Sequence, residues 1–370
     1  MGELGLGYVL FYKMTGERKY LDAAVKCGQA LAKHIRPGDA THTPWPFRLN
    51  ARTGQVINGE EFGGMIVAPV RLFDELVRLD MADAESFHKA RDLAWNWILH
   101  NQLSKSGPAR DRWTGYYEDV SKNTENVNDL SPMTTAYYIL SQDDPATVDP
   151  TWREDVGRLL DWDREVLGRG PFLGAWAIDE QQPPSIPAHV SWFCCSRVGL
   201  SCRSAGWGAI NAMFFEKTHD GSAREKAFRS LNYATYFAES DGKINCCGYP
   251  YPDPYWFEDG YADAGRSFIW AMGAIPDFAP VGEDHLLRSS SVLQKVSYEK
   301  GEVDYRTFDK QSTEVLRLSF KPNRISAGKA ALTEQTDLKA DGYTLQQLAN
   351  GDYVIHIRHT NSNEVTVIGS

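Results

Sequence analysis

Residues Phe215–Ala227 read FEKTHDGSAREKA, a polar His-Asp-Gly turn between an aromatic-rich helix and a helix rich in Ala, Lys, Arg and Glu. The same arrangement recurs at three other places, in Phe11–Ala24, Leu76–Ala90 and Ile139–Asp155. The turns are spaced by roughly 65–75 residues, which is a supersecondary period. The sequence therefore predicts an array of helical hairpins.

The two helices of each predicted hairpin differ in character. The first is apolar and rich in small residues, as in GAINAMFFEKT at 208–218, whereas the second has a charged face, as in REKAFRSLNYATYFAES at 224–240. A helix that is apolar all round is buried, and an amphipathic helix lies outside it. This pattern predicts an (α/α)-hairpin toroid of inner and outer helices, complete or incomplete. An open α-solenoid is the alternative, and long loops that all leave from one end favour the toroid.

The composition changes after about Gly282. All eleven Trp lie at or before Trp270, and the tail alternates apolar and polar residues in VSYEKGEVDYRTF, TEVLRLSF, DYVIHIRH and NEVTVIG. Such period-2 runs, separated by Gly and Asn turns, indicate strands. We therefore predict a toroid domain at 1–281 and a small antiparallel β domain, similar to a β-sandwich, at 282–370. A structural role is favoured over sugar binding for this second domain.

Composition and charge exclude several functions. The chain has 370 residues and a net charge of −10, which is unfavourable for nucleic-acid binding. No apolar run is long enough to span a membrane, so a soluble protein is expected. P-loop, dinucleotide-binding, zincin and nucleophile-elbow motifs are absent from the sequence, and no cofactor is predicted. Met1–Gly16 resembles a helix already under way, so we expect the native N-terminus to lie upstream, and the cellular location stays unassigned.

The six cysteines leave three alternatives open. Cys27 lies in a helical pattern and is expected to be an inert core thiol. The other five occur in CCSRVGLSC at 194–202 and in NCCG at 245–248. Free thiols in a reducing compartment are favoured over disulfides between the two segments. A thiolate metal site is the least favoured, because adjacent cysteines rarely bind one ion together, and no metal ligand is assigned.

Two long segments of the first half carry candidate site residues. Thr43–Met65 contains an aromatic and basic edge of Trp45, Phe47 and Arg48, followed by Glu60 and Glu61, which alternatively cap the next helix. Asp111–Met133 combines aromatic rings, which offer flat platforms for sugars, with carboxylates and amides that hydrogen-bond hydroxyls. Its candidates are Trp113, Tyr116, Tyr117, Glu118, Asp119, Asn126, Asn128 and Asp129. Asp129 or Ser131 as a helix N-cap is the structural alternative.

Two further segments lie in the second half. Pro171–Arg197 is longer than a mere connection requires, and its candidates are Trp176, Asp179, Glu180, His189 and Trp192. Ile244–Met272 places Asp259, Asp263 and Arg266 on one helical face, with Trp256 and Tyr261 nearby. An Asp263–Arg266 salt bridge within the helix is the structural alternative here. An acid/base carboxylate beside an arginine that grips an acidic group is the functional one.

The hairpins, aromatic loops and β tail together resemble the six-hairpin glycosidase superfamily, which includes the unsaturated glucuronyl hydrolases. They also look like the α/α-toroid polysaccharide lyases, which often carry a C-terminal β-sandwich. The resemblance is architectural, covers about residues 1–280 and rests on no short motif. It implies a carbohydrate substrate without assigning catalytic residues. About nine helices are predicted where a complete ring has twelve, which indicates a missing N-terminus or an incomplete toroid.

Three functions follow from these features. A glycoside hydrolase needs two carboxyl groups, for which the candidates are Asp119, Asp179, Glu180, Asp259 and Asp263. A lyase that cleaves a uronic-acid polymer by β-elimination would use Asn128, His189, Tyr261 and Arg266. A non-catalytic helical-repeat binding protein is the third. In both enzymes the predicted contacts to an oligo- or polysaccharide are Trp45, Arg48, Trp113, Tyr117, Trp176, Trp192, Trp256 and Arg266. The hydrolase is favoured, and the oligomeric state is not assigned.

Overall fold

The computed structural model describes residues 1–50, 52–57, 66–113, 127–168, 177–178, 201–238, 240 and 263–369. They form two compact units. The helical unit comprises Met1–Val9 and Leu21–Phe268, and the β unit comprises Leu10–Tyr20 and Ile269–Ser370. The predicted domain boundary between residues 281 and 282 stays a prediction.

Nine α-helices lie in the described part of the chain. They are α1 (Gly2–Thr15), α2 (Arg18–His34), α3 (Val67–Arg78), α4 (Ala84–Trp97), α5 (Leu130–Leu140), α6 (Trp152–Val166), α7 (Ser201–Thr218), α8 (Gly221–Thr235) and α9 (Asp263–Ala274). A π-helical turn, Ile98–Leu103, extends α4. None of these helices is long and apolar enough to cross a bilayer.

The helices alternate between short and long connections. Each odd-numbered helix up to α7 leads into the next through a short segment: 16–17, 79–83, 141–151 or 219–220. The connections from even to odd helices are long and occupy 35–66, 98–129, 167–200 and 236–262. Because the two helices of a hairpin run antiparallel, the long connections lie at the end where the odd-numbered helices begin. That the long loops share one end stays a prediction, with which this order of helices agrees.

Packing separates inner from outer helices. The odd-numbered helices follow one another, because α3 packs against α5 and α5 packs against α7. α3, α5 and α7 also pack against their hairpin partners α4, α6 and α8. α1 approaches α3 at one point, since a Cβ placed on Gly5 of α1 would come within 2.5 Å of the Leu72 side chain in α3. The predicted mainly α, (α/α)-hairpin architecture is confirmed.

The turn quoted at the outset shows how the sequence builds a hairpin. His219 adopts a left-handed conformation with φ of 58°, which stops α7. Asp220 then caps α8, because its Oδ1 accepts a hydrogen bond from Ser222 N at 2.9 Å. Glycine allows the two helices to approach closely, since a Cβ on Gly208 would lie 3.0 Å from the Cβ of Ser230. The turn and the contact below it together define the α7–α8 hairpin.

The short strands β1 (Val127–Asn128) and β2 (Ala177–Ile178) belong to the helical unit. The β unit contains two antiparallel sheets. The strands are β3 (His285–Ser289), β4 (Leu293–Glu299), β5 (Glu302–Thr307), β6 (Ser312–Leu318), β7 (Pro322–Ala327), β8 (Ala330–Leu332), β9 (Gly342–Gln347), β10 (Tyr353–His359) and β11 (Glu364–Gly369). One sheet has the order β3-β6-β10-β9 and the other β4-β5-β11-β7-β8. Alternate residues of both sheets, such as Leu316, Ile355, Val303 and Val367, share one buried core. The predicted C-terminal antiparallel β structure is confirmed.

Two segments outside the strands complete this unit. Lys13 O of the second half of α1 accepts a hydrogen bond from Gln294 Nε2 at 2.8 Å, and the Tyr12 ring lies 5.7 Å from the ring of Phe308. After α9, the carbonyl oxygens of Pro276, Asp277 and Ala279 all accept hydrogen bonds from the Arg317 guanidinium. The same buried guanidinium is paired with Asp352 at 2.8 Å. Residues outside the strands thus contribute to the β unit, and two of them, Tyr12 and Lys13, are far from the strands in sequence.

Candidate functional site

The long connections and the first turns of the inner helices define one end of the helical unit, where the sequence predicted a site. Two of these connections meet in a short two-stranded sheet, because Asn128 in β1 (Val127–Asn128) pairs with Ala177 in β2 (Ala177–Ile178). Asp129 follows β1 directly and precedes α5. The sheet therefore brings the segment before α7 next to the first residue of α5.

A buried cluster of Asp129, Asp163 and Arg203 lies at this end. Asp129 precedes α5, Arg203 belongs to the first turn of α7, and Asp163 belongs to the last turn of α6. The exposed fractions of the three residues are 4%, 3% and 6%, respectively. Arg203 Nε lies 3.8 Å from Asp129 Oδ1. Three helices thus contribute two carboxyl groups and one guanidinium to a single enclosed place.

The carboxyl groups of this cluster affect each other. Burial raises the pKa of Asp163 well above its ordinary value, the charge of Asp129 raises it further, and Arg203 opposes both. Oδ1 of Asp163 has no hydrogen-bond partner among the described residues. Two carboxyl groups that share a site cannot both ionise readily. Burial and the charge of Asp129 therefore favour the protonated form of Asp163, whereas Arg203 favours its ionised form.

The structural alternative for Asp129 was that its side chain caps α5. Asp129 does occupy the N-cap position, but it has αR backbone angles and its side chain makes no capping hydrogen bond. Ser131 does not cap the helix either; its carbonyl oxygen accepts a hydrogen bond from Thr135 Oγ1 at 2.8 Å. The Asp129 carboxylate is instead directed to the cluster with Arg203.

Asp163 and Arg203 were missed by the sequence analysis, although each had a signal. Asp163 continues an apolar stripe of α6 that includes Val156, Leu160 and Leu167, all buried. A charged residue in such a stripe is buried with the rest of the face. Arg203 is the one charged residue in the first fifteen positions of α7, an otherwise small and apolar helix. A charged residue within an inner helix is costly to bury unless it is paired.

Four predicted substrate-binding residues have described side chains. Trp45 is half-buried, donates its Nε1 hydrogen to Leu31 O at 2.9 Å and packs near Phe73. Arg48 lies over the Phe47 ring, 5.3 Å from its centroid. Arg266 is exposed on the first turn of α9. Trp113 is fully buried; its ring offers no face to a sugar in this structure, so its predicted substrate contact is not supported.

The remaining predicted site residues lie partly or wholly outside the described part of the chain. Asn128 and Asp263 are described only in their backbone, in β1 and at the start of α9. Outside the described residues lie Glu60, Glu61, Tyr116, Tyr117, Glu118, Asp119, Asn126, Trp176, Asp179, Glu180, His189, Trp192, Trp256, Asp259 and Tyr261.

The cysteine alternatives remain open for the two loop segments. Cys194, Cys195, Cys246 and Cys247 lie outside the described residues. Cys27 is a free thiol, and burial raises its pKa. Within the described ranges, His, Cys, Asp and Glu side chains form no group of three that would hold a metal ion.

The β unit has its own buried polar cluster around His359. His359 Nε2 lies 2.9 Å from Ser312 Oγ and 3.1 Å from Glu314 Oε2, while Nδ1 faces Lys310 O at 3.0 Å. A serine nucleophile would need its acid partner on the opposite nitrogen of the imidazole. Here serine and glutamate share one nitrogen and all three side chains are buried. This cluster is therefore a structural network and not a hydrolytic triad.

Comparisons with known proteins support the fold. No family model and no curated protein matches this sequence. Among solved structures, the chain is similar to a D-mannose isomerase with 11% identity over 75% of this chain and 69% of that one, at a TM-score of 0.50. An unsaturated glucuronyl hydrolase from Bacillus sp. GL1 matches with 15% identity over 73% and 66% of the two chains, at a TM-score of 0.47. A GH76 α-mannanase from Bacteroides thetaiotaomicron matches with 14% identity over 74% and 68%, at a TM-score of 0.48.

The similarity to these proteins is one of fold, and it spans about two thirds of each of their chains. The similarity to the D-mannose isomerase supports the predicted helical-hairpin fold. At such low identity the comparisons carry neither a substrate nor a catalytic residue over to this chain.

Proposed function

We propose that this chain, which shares the fold of the six-hairpin glycosidases, is a carbohydrate-active enzyme that hydrolyses a glycosidic bond. The observation that supports this proposal is the buried Asp129–Arg203–Asp163 cluster at the end where the long connections lie. Glycoside hydrolysis needs carboxyl groups in opposite protonation states. A carboxylate beside a buried guanidinium is favoured in its ionised form, which supplies one member of that pair.

Asp129 is the catalytic carboxylate in this proposal. It lies at the start of an inner helix, next to β1, and Arg203 favours its ionised form. An ionised carboxylate acts as the base that activates water or as the nucleophile at the anomeric carbon. The second catalytic carboxyl, the acid that protonates the leaving oxygen, would come from one of the predicted loop residues Asp119, Asp179, Asp259 and Asp263.

The lyase and the binding protein are distinguished from the hydrolase by product. Hydrolysis creates a new reducing end, whereas β-elimination also creates a C=C bond that absorbs ultraviolet light. We would assay a panel of neutral and uronic-acid glycans by both signals and expect reducing ends without new absorbance. Rising absorbance would instead favour β-elimination through Asn128, His189, Tyr261 and Arg266. No product from any glycan would favour the binding protein.

Replacing Asp129 tests its role. The Asp129→Asn variant keeps the size of the side chain and removes its charge, so we expect kcat/KM to fall by about 10²–10⁴-fold while the fold persists. Asp155→Asn is the matched control, because Asp155 is buried on α6 but bonds to Thr151 Oγ1 and Arg158 near the start of that helix. Circular dichroism would verify folding of both variants. Full activity in Asp129→Asn would remove Asp129 from the mechanism.

A further inference from the structure

Two further buried carboxyl groups, those of Asp149 and Asp155, flank Thr151 where α6 begins. Asp149 is 1% exposed and Asp155 is 8% exposed. Thr151 Oγ1 lies 3.0 Å from Asp149 Oδ1 and 2.7 Å from Asp155 Oδ2. The backbone N–H of Thr151 also donates to Asp149 Oδ1 at 2.9 Å. A single hydroxyl group therefore bridges two acids that have no part in the proposed reaction.

The bridge lacks one hydrogen if both acids are ionised. Each of its two oxygen–oxygen contacts needs a hydrogen between the atoms, and the Thr151 hydroxyl carries only one. An ionised carboxyl group accepts hydrogen bonds but donates none, whereas a protonated one also donates. The hydroxyl donates to one acid, so the contact with the other acid is a hydrogen bond only if that acid is protonated.

The surroundings of the two acids indicate which of them is protonated. Arg158 Nη2 lies 3.2 Å from Asp155 Oδ1, and the same guanidinium pairs with Asp111. Asp149 forms no ion pair in the described part of the chain, and its Oδ2 is buried without a hydrogen-bond partner. An ionised group in such a place is costly and binds a proton instead. Burial raises the pKa of Asp149 and the charge of Asp155 adds to it, while hydrogen bonds from Thr151 oppose both.

Other charged groups on the neighbouring elements are engaged elsewhere. On α6, Glu154 pairs with Lys105 at 2.7 Å, and their side chains are 59% and 73% exposed. Lys217 of α7 donates to the carbonyl oxygens of residues 142 and 143. From α4, the uncharged Trp95 donates to the carbonyl oxygen of residue 148. Among the described residues, Asp155 is therefore the charged side chain that shares the bridge with Asp149.

We propose that Asp149, Thr151 and Asp155 hold one proton in addition to the hydroxyl hydrogen, and that this proton fastens the connection 141–151 to the start of α6. Protonated Asp149 donates to Thr151 Oγ1, and the hydroxyl hydrogen is donated to Asp155. When the pH rises, the proton leaves to solvent, two carboxylates face one hydroxyl, and the contact weakens. This pH-dependent contact does not rest on the proposed function.

Neutron diffraction tests the hydrogen positions without any substitution. We expect two deuterons in the bridge of the wild-type chain at about pH 5, where an ordinary aspartate with a pKa of about 3.9 is ionised. One should lie between Asp149 Oδ1 and Thr151 Oγ1, and the other between Thr151 Oγ1 and Asp155 Oδ2. A single deuteron in the bridge, bound to one acid or shared by both, would overturn the proposal.

The same proton should make the stability of the fold depend on pH. Because the pKa of Asp149 is raised in the folded protein, its contribution is complete below the unfolded value of about 3.9 and is lost as pH rises through the folded value. One bound proton changes the unfolding equilibrium constant by up to about tenfold per pH unit. The destabilisation caused by Asp149→Asn should therefore shrink as pH rises from about 4 to 6.5.

Urea unfolding of wild type and Asp149→Asn at several pH values gives the ratio of their unfolding constants, in which groups that titrate equally in both proteins cancel. We expect this ratio to change by more than about threefold over that range. Asp143→Asn is the matched control, because Asp143 is exposed in the same connection, and its ratio to wild type should stay constant. A constant ratio for Asp149→Asn would contradict the proposal. If Asp149→Asn does not fold, the deuteron positions in the wild-type crystal decide.

Discussion

His359 is the clearest case of a single residue whose surroundings set its ionisation in the β unit. Burial lowers the pKa of His359, but the hydrogen bond and charge of Glu314 outweigh it, with a contribution from the carbonyl of Lys310, so the pKa is raised. Glu314 also accepts hydrogen bonds from Tyr305 OH at 3.0 Å and from Ser289 Oγ at 3.0 Å. His359 is therefore part of a buried hydrogen-bonded network that links β3, β5, β6 and β10.

This raised pKa makes the stability of the β unit depend on pH. A group whose pKa is higher in the folded state contributes stability that is complete below its unfolded pKa of about 6.5 and is lost as pH rises through the folded value. We expect urea unfolding to give a lower free energy of unfolding at about pH 9 than at about pH 6.

The matched variants isolate the contribution of this one side chain. His359→Gln should be less stable at the lower pH and should flatten the dependence on pH. His88→Gln should leave it unchanged, because His88 is 62% exposed beside Asp92. An equal slope in wild type and His359→Gln would show that the histidine stays neutral in the folded protein.

For individual residues, the sequence predicted where the candidate site lies better than it predicted which residues form it. The end of the long connections and the segment around Asp129 were predicted, because loops longer than a turn requires stand out in any sequence. Asp163 and Arg203 belong to regular helices. The local sequence pattern there predicts which face of the helix is buried, but not which neighbouring helix supplies the residue that each side chain contacts. Their meeting depends on how three helices pack, which is a tertiary property.

Two glycines within helices differ in whether the packing around them leaves room for a side chain. Gly157 lies within α6, where a Cβ would meet Phe214 at an ordinary 3.9 Å. Gly208 lies within α7, where a Cβ would come within 3.0 Å of Ser230 Cβ and 3.3 Å of Ala227 O. The first glycine fills no packing requirement, whereas the second permits the α7–α8 contact.

Alanine at these positions should have opposite effects. Gly157→Ala restricts the unfolded chain and adds an acceptable contact, so we expect stabilisation by about 0.5–1 kcal/mol. Gly208→Ala would push α8 away from α7, and we expect destabilisation by about 1–3 kcal/mol despite the same gain in helix propensity. Chemical denaturation of the two variants provides the comparison. The same sign for both would mean that α7 and α8 adjust without cost.

The elements themselves were largely predictable, for physical reasons that differ between them. Hairpin turns such as THDGS can be predicted because they contain a helix-capping residue and a residue that adopts a left-handed conformation. The strands of the β tail can be predicted because apolar and polar residues alternate along them. The share of α1 in the β unit was not predictable, because Tyr12 and Lys13 fit a helix pattern whichever unit they contact. The periodicity of hydrophobic residues predicts which face of a helix is buried, but it does not predict which element packs against that face.

At the scale of the whole molecule, the β unit extends beyond the strands that define it. Arg317 is buried, and its guanidinium receives support both from Asp352 and from the carbonyl groups of residues 276–279. A fragment that starts at the predicted boundary, residue 282, lacks those carbonyl groups. A fragment that starts at residue 269 keeps them.

We expect the fragment 269–370 to be more stable than 282–370 by about 1–3 kcal/mol, because the shorter one leaves guanidinium hydrogens of Arg317 without partners. Urea unfolding of both fragments provides the measurement. The same pair with Arg317→Met is the control, and there the difference should largely vanish. Equal stability of the two unsubstituted fragments would favour the boundary between residues 281 and 282.

The β unit consists of two pieces that are separate in sequence, so they are synthesised at different times. Leu10–Tyr20 leaves the ribosome about 250 residues before Ile269, the start of the piece with which it folds. At about 5–20 residues per second, that interval lasts roughly 10–50 seconds. During this time Tyr12 cannot yet pack against Phe308, because Phe308 has not been synthesised. Residues 269–370 therefore complete a structure that residues 10–20 began.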